Sequence, residues 1–190
     1  MQHYLVTAAE MKQYDSNTIE HFHYPALLLM ERAALATVEA IREEYGMTPC
    51  RVLVVAGCGN NGGDGLAVGR LLMLSGYEVT YVMPGRMDKC SEQTKRQLSI
   101  LQSYGVSCKD RIPGGEYDIV IDAIFGIGLS RKVEGIYEET IRALNAKKGY
   151  VCSIDIPSGI HTDSGAVMGC AVKADLTITY GFYKLGQMLF

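Results

Sequence analysis

The stretch from Val52 to Leu66 constrains this chain more than any other. It reads Val-Leu-Val-Val-Ala-Gly-Cys-Gly-Asn-Asn-Gly-Gly-Asp-Gly-Leu. An apolar, largely β-branched run (Val52–Ala56) breaks at Gly57 and Gly59, and Leu66–Leu72 then takes up helical spacing. The pattern predicts a buried strand, a tight glycine loop and a helix start. Glycines serve where backbone must turn sharply or come close to a ligand, and the amides at a helix N-terminus favour an anion such as a pyrophosphate. The run is neither G-x-G-x-x-G nor a Walker loop, since no Gly-Lys-Ser/Thr follows. A purely structural tight turn is the competing reading. Asp64 fits an N-cap as well as a ligand contact. Asn60 and Asn61 suit a turn, but each also offers an amide oxygen and an amide donor.

The remaining chain supplies a frame for this unit. Thr7-Ala8-Ala9-Glu10 has the form of a capping box, with Met11, Tyr14 and Ile19 behind it at roughly helical spacing. After a break at His23-Tyr24-Pro25, Leu27–Leu29, Ala33, Ala34, Val38 and Ile41 form one apolar helical face that ends near Gly46. Residues 1–46 are therefore an N-terminal helical arm whose apolar faces must pack on the domain or on a second subunit. Beyond the glycine loop, strands are expected at Glu78–Met83, Tyr117–Ile121, Tyr150–Ile154 and Ala174–Tyr180. Helices are expected at about Ser91–Tyr104 and Ile136–Asn145, with Leu98 and Leu101 facing inwards. Strands alternating with helices predict an α/β fold, a Rossmann-like three-layer sandwich with a mainly parallel central sheet.

At 190 residues the chain is one domain with a sizeable core, and 48% hydrophobic against 21% charged residues is a soluble composition. A net charge of −3 gives no reason to expect nucleic acid or an anionic membrane as partner. The six cysteines are scattered without C-x-x-C or zinc spacing, so reduced, buried thiols in a cytoplasmic protein are expected. The N-terminus lacks the regions of a signal peptide, and no stretch is long and apolar enough to span a bilayer. Histidines 3, 21, 23 and 161 show no ligand spacing, and there is no Ser-His-Asp or Cys-His pattern.

Three strands end in polar loops: after Ala56, after Ile121 and after Ile154. In open α/β sheets, ligands lie outside the carboxyl ends of the strands where strand order reverses. Asp122 follows a buried run, where an unpaired charge is costly, so it needs amides, an arginine or a cation as partner. Asp155 stands in the same relation to the neighbouring strand, and a carboxylate at either place can exchange protons near neutrality. Both also fit as loop-capping aspartates. Ser158 can bond its own loop or offer an oxygen to a cation. Arg131 and Lys132 are either solvated charges or counter-charges to a phosphate.

Together, Gly59–Gly65, Asp122-Ala123-Ile124-Phe125-Gly126 with Ser130-Arg131, and Asp155-Ile156-Pro157-Ser158-Gly159 resemble the YjeF N-terminal domain, the NAD(P)H-hydrate epimerase family. Glu10-Met11, Leu29–Ala34, Ala174–Thr177 and Lys184-Leu185-Gly186 extend the likeness over nearly the whole chain, 1–190. The resemblance implies interconversion of the R and S epimers of hydrated NADH and NADPH at nicotinamide C6. It implies Asp155 as the acid/base and substrate contacts from Asn60, Asn61, Gly62, Gly63 and Asp64. It adds contacts from Gly126, Ile127, Gly128, Leu129, Ser130, Arg131 and Lys132, and from Asp155 itself. Asn61, Asp122 and Ser158 would hold one potassium ion (K+) per subunit, an all-oxygen set suited to a hard cation. A homodimer is implied, as is an ADP- or ATP-dependent dehydratase, fused or separate, that uses the S epimer. Lys132 and Tyr183 stand where many relatives carry proline. The apolar end Gln187–Phe190 suggests a piece of a longer, possibly bifunctional chain. Two rival readings are a non-catalytic nucleotide-, RNA- or protein-binding dimerisation module and an NAD(P)-dependent oxidoreductase. Intact Asn60, Asp64, Asp122 and Asp155 disfavour the first, and the absent G-x-G-x-x-G and ribose-binding acid disfavour the second.

Overall fold

Val52–Ala56 runs through the interior of a five-stranded, all-parallel sheet, buried at every residue. The computed structural model describes residues 4–189; Met1–His3 and Phe190, which entered the reading of the two ends, lie outside the described residues. The sheet strands are β2 (Arg51–Ala56), β3 (Glu78–Val82), β4 (Ile119–Ala123), β5 (Tyr150–Ile154) and β6 (Leu176–Ile178), in the spatial order β3-β2-β4-β5-β6. A separate parallel pair joins β1 (Leu5–Val6) to β7 (Tyr183–Lys184).

Alternation along β2 divides the core. Val52, Val54 and Ala56 pack with Met30, Ala34, Val38, Ile41, Leu66, Leu72 and Leu101, which come from α2 (Ala26–Tyr45), α3 (Asn60–Leu74) and α4 (Glu92–Ser103). Leu53 and Val55 face the other way, toward Ile141 and Leu144 of α5 (Ile136–Asn145). Helices on both faces of a parallel sheet make the expected three-layer sandwich. The second helix of the predicted arm is thus part of the domain's own helical layer. The first, α1 (Ala8–Glu20), begins with the predicted capping box: Thr7 Oγ1 accepts from Glu10 N, and Glu10 Oε2 accepts from Thr7 N at 2.8 Å. Gly46, at φ +111°, caps α2 as expected.

Four features differ from the sequence expectation. The helix after β2 starts at Asn60, inside the glycine run, with Gly59 as N-cap, so Asp64 is an interior helical residue and no N-cap. Tertiary contact overrides the low helix propensity of glycine here: a Cβ on Gly62 would sit 1.8 Å from the Gly57 carbonyl oxygen, and one on Gly65 would sit 2.3 Å from Ala123 Cβ. The late strand shrinks to Leu176–Ile178, and the third strand is shifted two residues, to Ile119–Ala123. The β1–β7 pair and the short α6 (Leu185–Leu189) were not expected, because elements of two to five residues carry no period. Of the six cysteines, all free, only Cys90 and Cys152 are fully buried. No helix of the described residues is long and apolar enough to cross a membrane.

Candidate active site

The chain passes from β2 to β3 on one side, then crosses back to place β4 on the other, so strand order reverses between β2 and β4. A cleft of about 840 Å³ opens at the carboxyl ends of these strands, a size typical of small-molecule sites. Asn60, Asn61 and Asp64 line it from the start of α3, residues 126–131 from the loop after β4, and Asp155 from the loop after β5. Amides in the first turn of a helix lack intrahelical acceptors, and those of Gly62 and Gly63 fold back on the Gly59 carbonyl. Asn60 and Asn61, the first two residues of α3, line the cleft. One wall was not anticipated as part of the site: α1 contributes Met11, Lys12, Tyr14, Asp15, Thr18 and Ile19.

Three expected contact residues stand outside this lining. Gly62 packs on the Gly57 carbonyl, and a Cβ on Gly63 would lie 2.8 Å from Met30 Cε and 3.0 Å from Thr94 Oγ1, so both glycines serve helix packing. Lys132 is exposed, pairs with Glu134 at 3.6 Å, and lays its stem over Gly169.

Beneath the cleft, Asp122 is fully buried and finds hydroxyl and amide partners. Its Oδ2 accepts from Ser153 Oγ at 2.7 Å and from Ser158 N at 2.8 Å, and its Oδ1 accepts from Ile124 N at 3.3 Å. Burial raises its carboxyl above the usual range while these bonds pull it back. The Ser158 hydroxyl accepts from Phe125 N at 2.8 Å and donates to Phe125 O at 3.2 Å, tying the loops after β4 and β5 together. Asn61 is buried, and neither its Oδ1 nor its Nδ2 has a hydrogen-bond partner. A buried polar group left unpaired is costly and asks for a ligand. Asn61 Oδ1, the Asp122 carboxylate and the Ser158 hydroxyl are oxygen donors of the type a hard cation takes, and the unpaired Asn61 Oδ1 is the one that asks for such a ligand.

Asp155 is the most constrained residue of the site. It is buried and holds φ at +68°, which is uncommon for a residue with a side chain. Its N–H donates to Ile178 O at 2.8 Å, and its carbonyl accepts from Gln187 Nε2 at 2.8 Å. Its carboxylate pairs with the ammonium of Lys184, a side chain with no solvent exposure. Lys184 Nζ also donates to Thr179 Oγ1 and Tyr180 O, both at 2.8 Å, so all three ammonium hydrogens are used. Sequence reasoning gave Lys184 no part in the site. Nothing around it marks a buried ammonium, because its acceptors come from Asp155, Thr179 and Tyr180, brought together only by folding. Asp15 and Tyr180 were also missed. A Cβ on Gly126 would come within 3.2 Å of Asn61 Cβ, Asn61 Cγ and Asp155 Oδ2, so these three residues meet at one point.

Two further carboxyls face the cleft. Burial pushes Asp64 well above the usual range, and the charges of Asp155 and Asp15 act in the same direction. Asp15 is raised by burial and by Asp155, with Lys184 opposing. The Tyr180 phenol, also raised by burial and next by the Asp64 charge, is bonded to Thr37 Oγ1 at 2.8 Å.

A family model described as YjeF-related protein N-terminus matches residues 26–186. The chain belongs to the YjeF N-terminal family. Among its relatives, the NAD(P)H-hydrate epimerase of Limosilactobacillus fermentum is 46% identical over 182 residues, covering 95% of this chain and 87% of that protein. The proteins of the same name from Levilactobacillus brevis and Oenococcus oeni are 43% and 39% identical, over 96% and 95% of this chain and 85% and 87% of theirs. The crystal structure of yeast ynu0 superposes with a TM-score of 0.83 at 23% identity, over 97% of this chain and 83% of that one, and shows the same fold. Within the YjeF N-terminal match lie Asn61, Asp64, Asp122, Asp155, Ser158 and Lys184, whereas Asp15 and the rest of α1 precede it.

Proposed function

We propose that this chain is an NAD(P)H-hydrate epimerase, acting on the R and S forms of hydrated NADH and NADPH. The observation that carries the reading is the Asp155 carboxylate, fixed in the cleft by buried Lys184 and set beside Asn61 and Gly126. Its relatives of that name, at 39–46% identity over 85–87% of their length, support the same assignment.

The reacting carbon bears a hydroxyl and a ring nitrogen, so its inversion needs proton transfer and no electron acceptor. Asp155 takes the hydroxyl proton and returns it, a role suited to a carboxylate whose negative charge is held by a cation. Asn60 and Asn61 at the start of α3 and the loop 126–131, with Arg131, hold the pyrophosphate-bearing part of the substrate. Met11 of α1 and Leu29 and Met30 of α2 offer the ring apolar surface to pack against. Potassium, held by Asn61, Asp122 and Ser158, would fix the loops after β4 and β5 and neutralise the buried Asp122. The same proposal includes a homodimer, a dehydratase (fused or separate) that takes the S epimer, and a cytoplasmic location consistent with six free thiols.

The test is exchange of separated R and S hydrates of NADH, followed by chromatography with potassium varied against sodium. The wild-type protein brings the epimers to equilibrium faster in potassium. Asp155→Asn slows exchange by about 100-fold or more while the circular dichroism spectrum stays unchanged. Full activity in Asp155→Asn would remove Asp155 from the reaction. No exchange by the wild type would leave a non-catalytic binding module.

A further inference from the structure

We propose that Asp64 is the second catalytic residue of this site, giving a proton to the ring nitrogen while Asp155 takes one from the hydroxyl. The inference rests on the epimerase reading and adds a residue role to it.

Asp64 and Asp155 line one cleft from different elements, the first turns of α3 and the loop after β5. Their surroundings are opposite. Asp155 has an ammonium against its carboxylate, and Lys184 has no N–H left to offer Asp64. Among the described residues the Asp64 side chain has no hydrogen-bond or ion-pair partner. Its groups of like sign are Asp155 and, from α1, Asp15. Tyr180 stands near it with its phenol bonded to Thr37, and Lys12 of α1 lines the same cleft without pairing to it. Two carboxyls in one cleft, one beside a cation and the other beside two carboxyls of like sign, separate into a base and an acid. Gly59, not Asp64, is the N-cap of α3, and among the described residues no backbone group bonds the Asp64 carboxyl.

This division of charge matches the chemistry of a carbon bonded to both hydroxyl and amine nitrogen. As Asp155 removes the hydroxyl proton, the O–H electron pair forms the C6 carbonyl and the C6–N1 bond breaks. N1 keeps that bonding pair and takes the proton of Asp64. The opened aldehyde turns about C5–C6, and N1 attacks its other face while returning a proton to Asp64 carboxylate. The oxygen recovers its proton from Asp155. Both carboxyls regain their starting states, nothing is oxidised, and the C6–O bond stays intact.

The decisive variant is Asp64→Asn, assayed beside wild type in the exchange reaction across pH, with binding of the hydrate measured separately. We expect exchange to fall about 100-fold or more, with the dissociation constant changed only a few-fold. Wild-type activity should fall with rising pH as Asp64 loses its proton, and the residual activity of the variant should lack that fall. Carboxyl ¹³C shifts in aspartate-labelled protein give a readout independent of activity: beside Asp15 and Asp122, a further carboxyl titrating above the usual range that is missing from Asp64→Asn. In ¹⁸O water the C6 oxygen should be retained through epimerisation. A variant with full rate, a loss confined to binding, an Asp64 carboxyl of ordinary acidity, or solvent oxygen entering at the epimerisation rate would each overturn the proposal. A wild type without exchange would overturn the epimerase reading and this mechanism with it, whereas an active wild type beside an active variant overturns only the role of Asp64.

Discussion

A methyl group at Gly126 would press on both Asn61 and Asp155 Oδ2 at 3.2 Å, tighter than an ordinary van der Waals contact but within the give of two side chains. Gly126→Ala should therefore fold and still damage the site. Displacing a reacting group by a fraction of an ångström to 1 Å costs up to about 100-fold in rate. We expect turnover to fall about 10- to 100-fold with a melting temperature close to wild type. Gly128 has nothing within 4 Å of its added Cβ, and Gly128→Ala is the control that should keep most of the activity. Steady-state exchange kinetics on the two variants separate crowding from a general effect on the loop. The glycine run Gly57–Gly65 shows why the sequence alone could not make such distinctions. Gly59 faces open space, Gly62 abuts backbone, Gly63 meets the Met30 side chain, and Gly65 lies against β4. Only folded neighbours assign these roles. Asp122 and Asp155 were legible because each follows apolar residues near the carboxyl end of a strand, although Asp122 lies inside β4 and beneath the cleft and only Asp155 stands in the loop. Lys184 was not, since a lysine reads as a surface residue until its three acceptors are assembled around it.

Among the elements, α1 carries a stabilising device and a functional surface on the same helix. Its capping box joins Thr7 to Glu10, and Asp163 Oδ1 accepts from Ala8 N at the same end. Met11, Tyr14, Asp15, Thr18 and Ile19 form part of the cleft wall. Replacing Thr7 by Ala removes the side-chain acceptor for Glu10 N and costs about 1 kcal/mol, or roughly a fivefold change in a local opening equilibrium. Amide hydrogen exchange should accelerate by about that factor across residues 8–20 and remain unchanged in β2 and β4. The same variant should raise KM for the hydrate more than it lowers kcat, because the wall loosens while Asp155 and Lys184 stay in place. The box was readable from four residues in a row, as were the long helices from their spacing and β2 from its apolar run. The β1–β7 pair that closes the chain beside Lys184 was not, because two-residue strands have neither period nor length.

At the scale of the whole molecule, the fold sustains several carboxyls against their preference for water. Asp15, Asp64 and Asp122 are all raised first by burial. A carboxyl whose folded pKa lies above its unfolded value binds more protons in the native state between the two values. Stability therefore declines as pH rises through that window, starting near the unfolded value of about 4. Asp64 is the sharpest case, since it lacks the hydroxyl and amide donors that offset burial at Asp122. The wild-type protein should accordingly lose stability between mildly acidic and alkaline pH. Asp64→Asn removes the ionisable group and keeps the shape, so this variant should melt at a higher temperature than wild type at pH 8. The gap should shrink as pH falls through 4 and below, where the wild-type carboxyl becomes protonated in both states. Around 1 kcal/mol moves the midpoint of a chain of this length by about 2–4 °C, well within the reach of thermal denaturation at pH 5, 6.5 and 8. A gap that failed to widen with pH would mean that Asp64 ionises at no cost to the fold. A widening gap in a variant that no longer epimerises would identify the carboxyl as a feature that weakens the fold and serves the reaction, the trade expected where a group is kept for its chemistry.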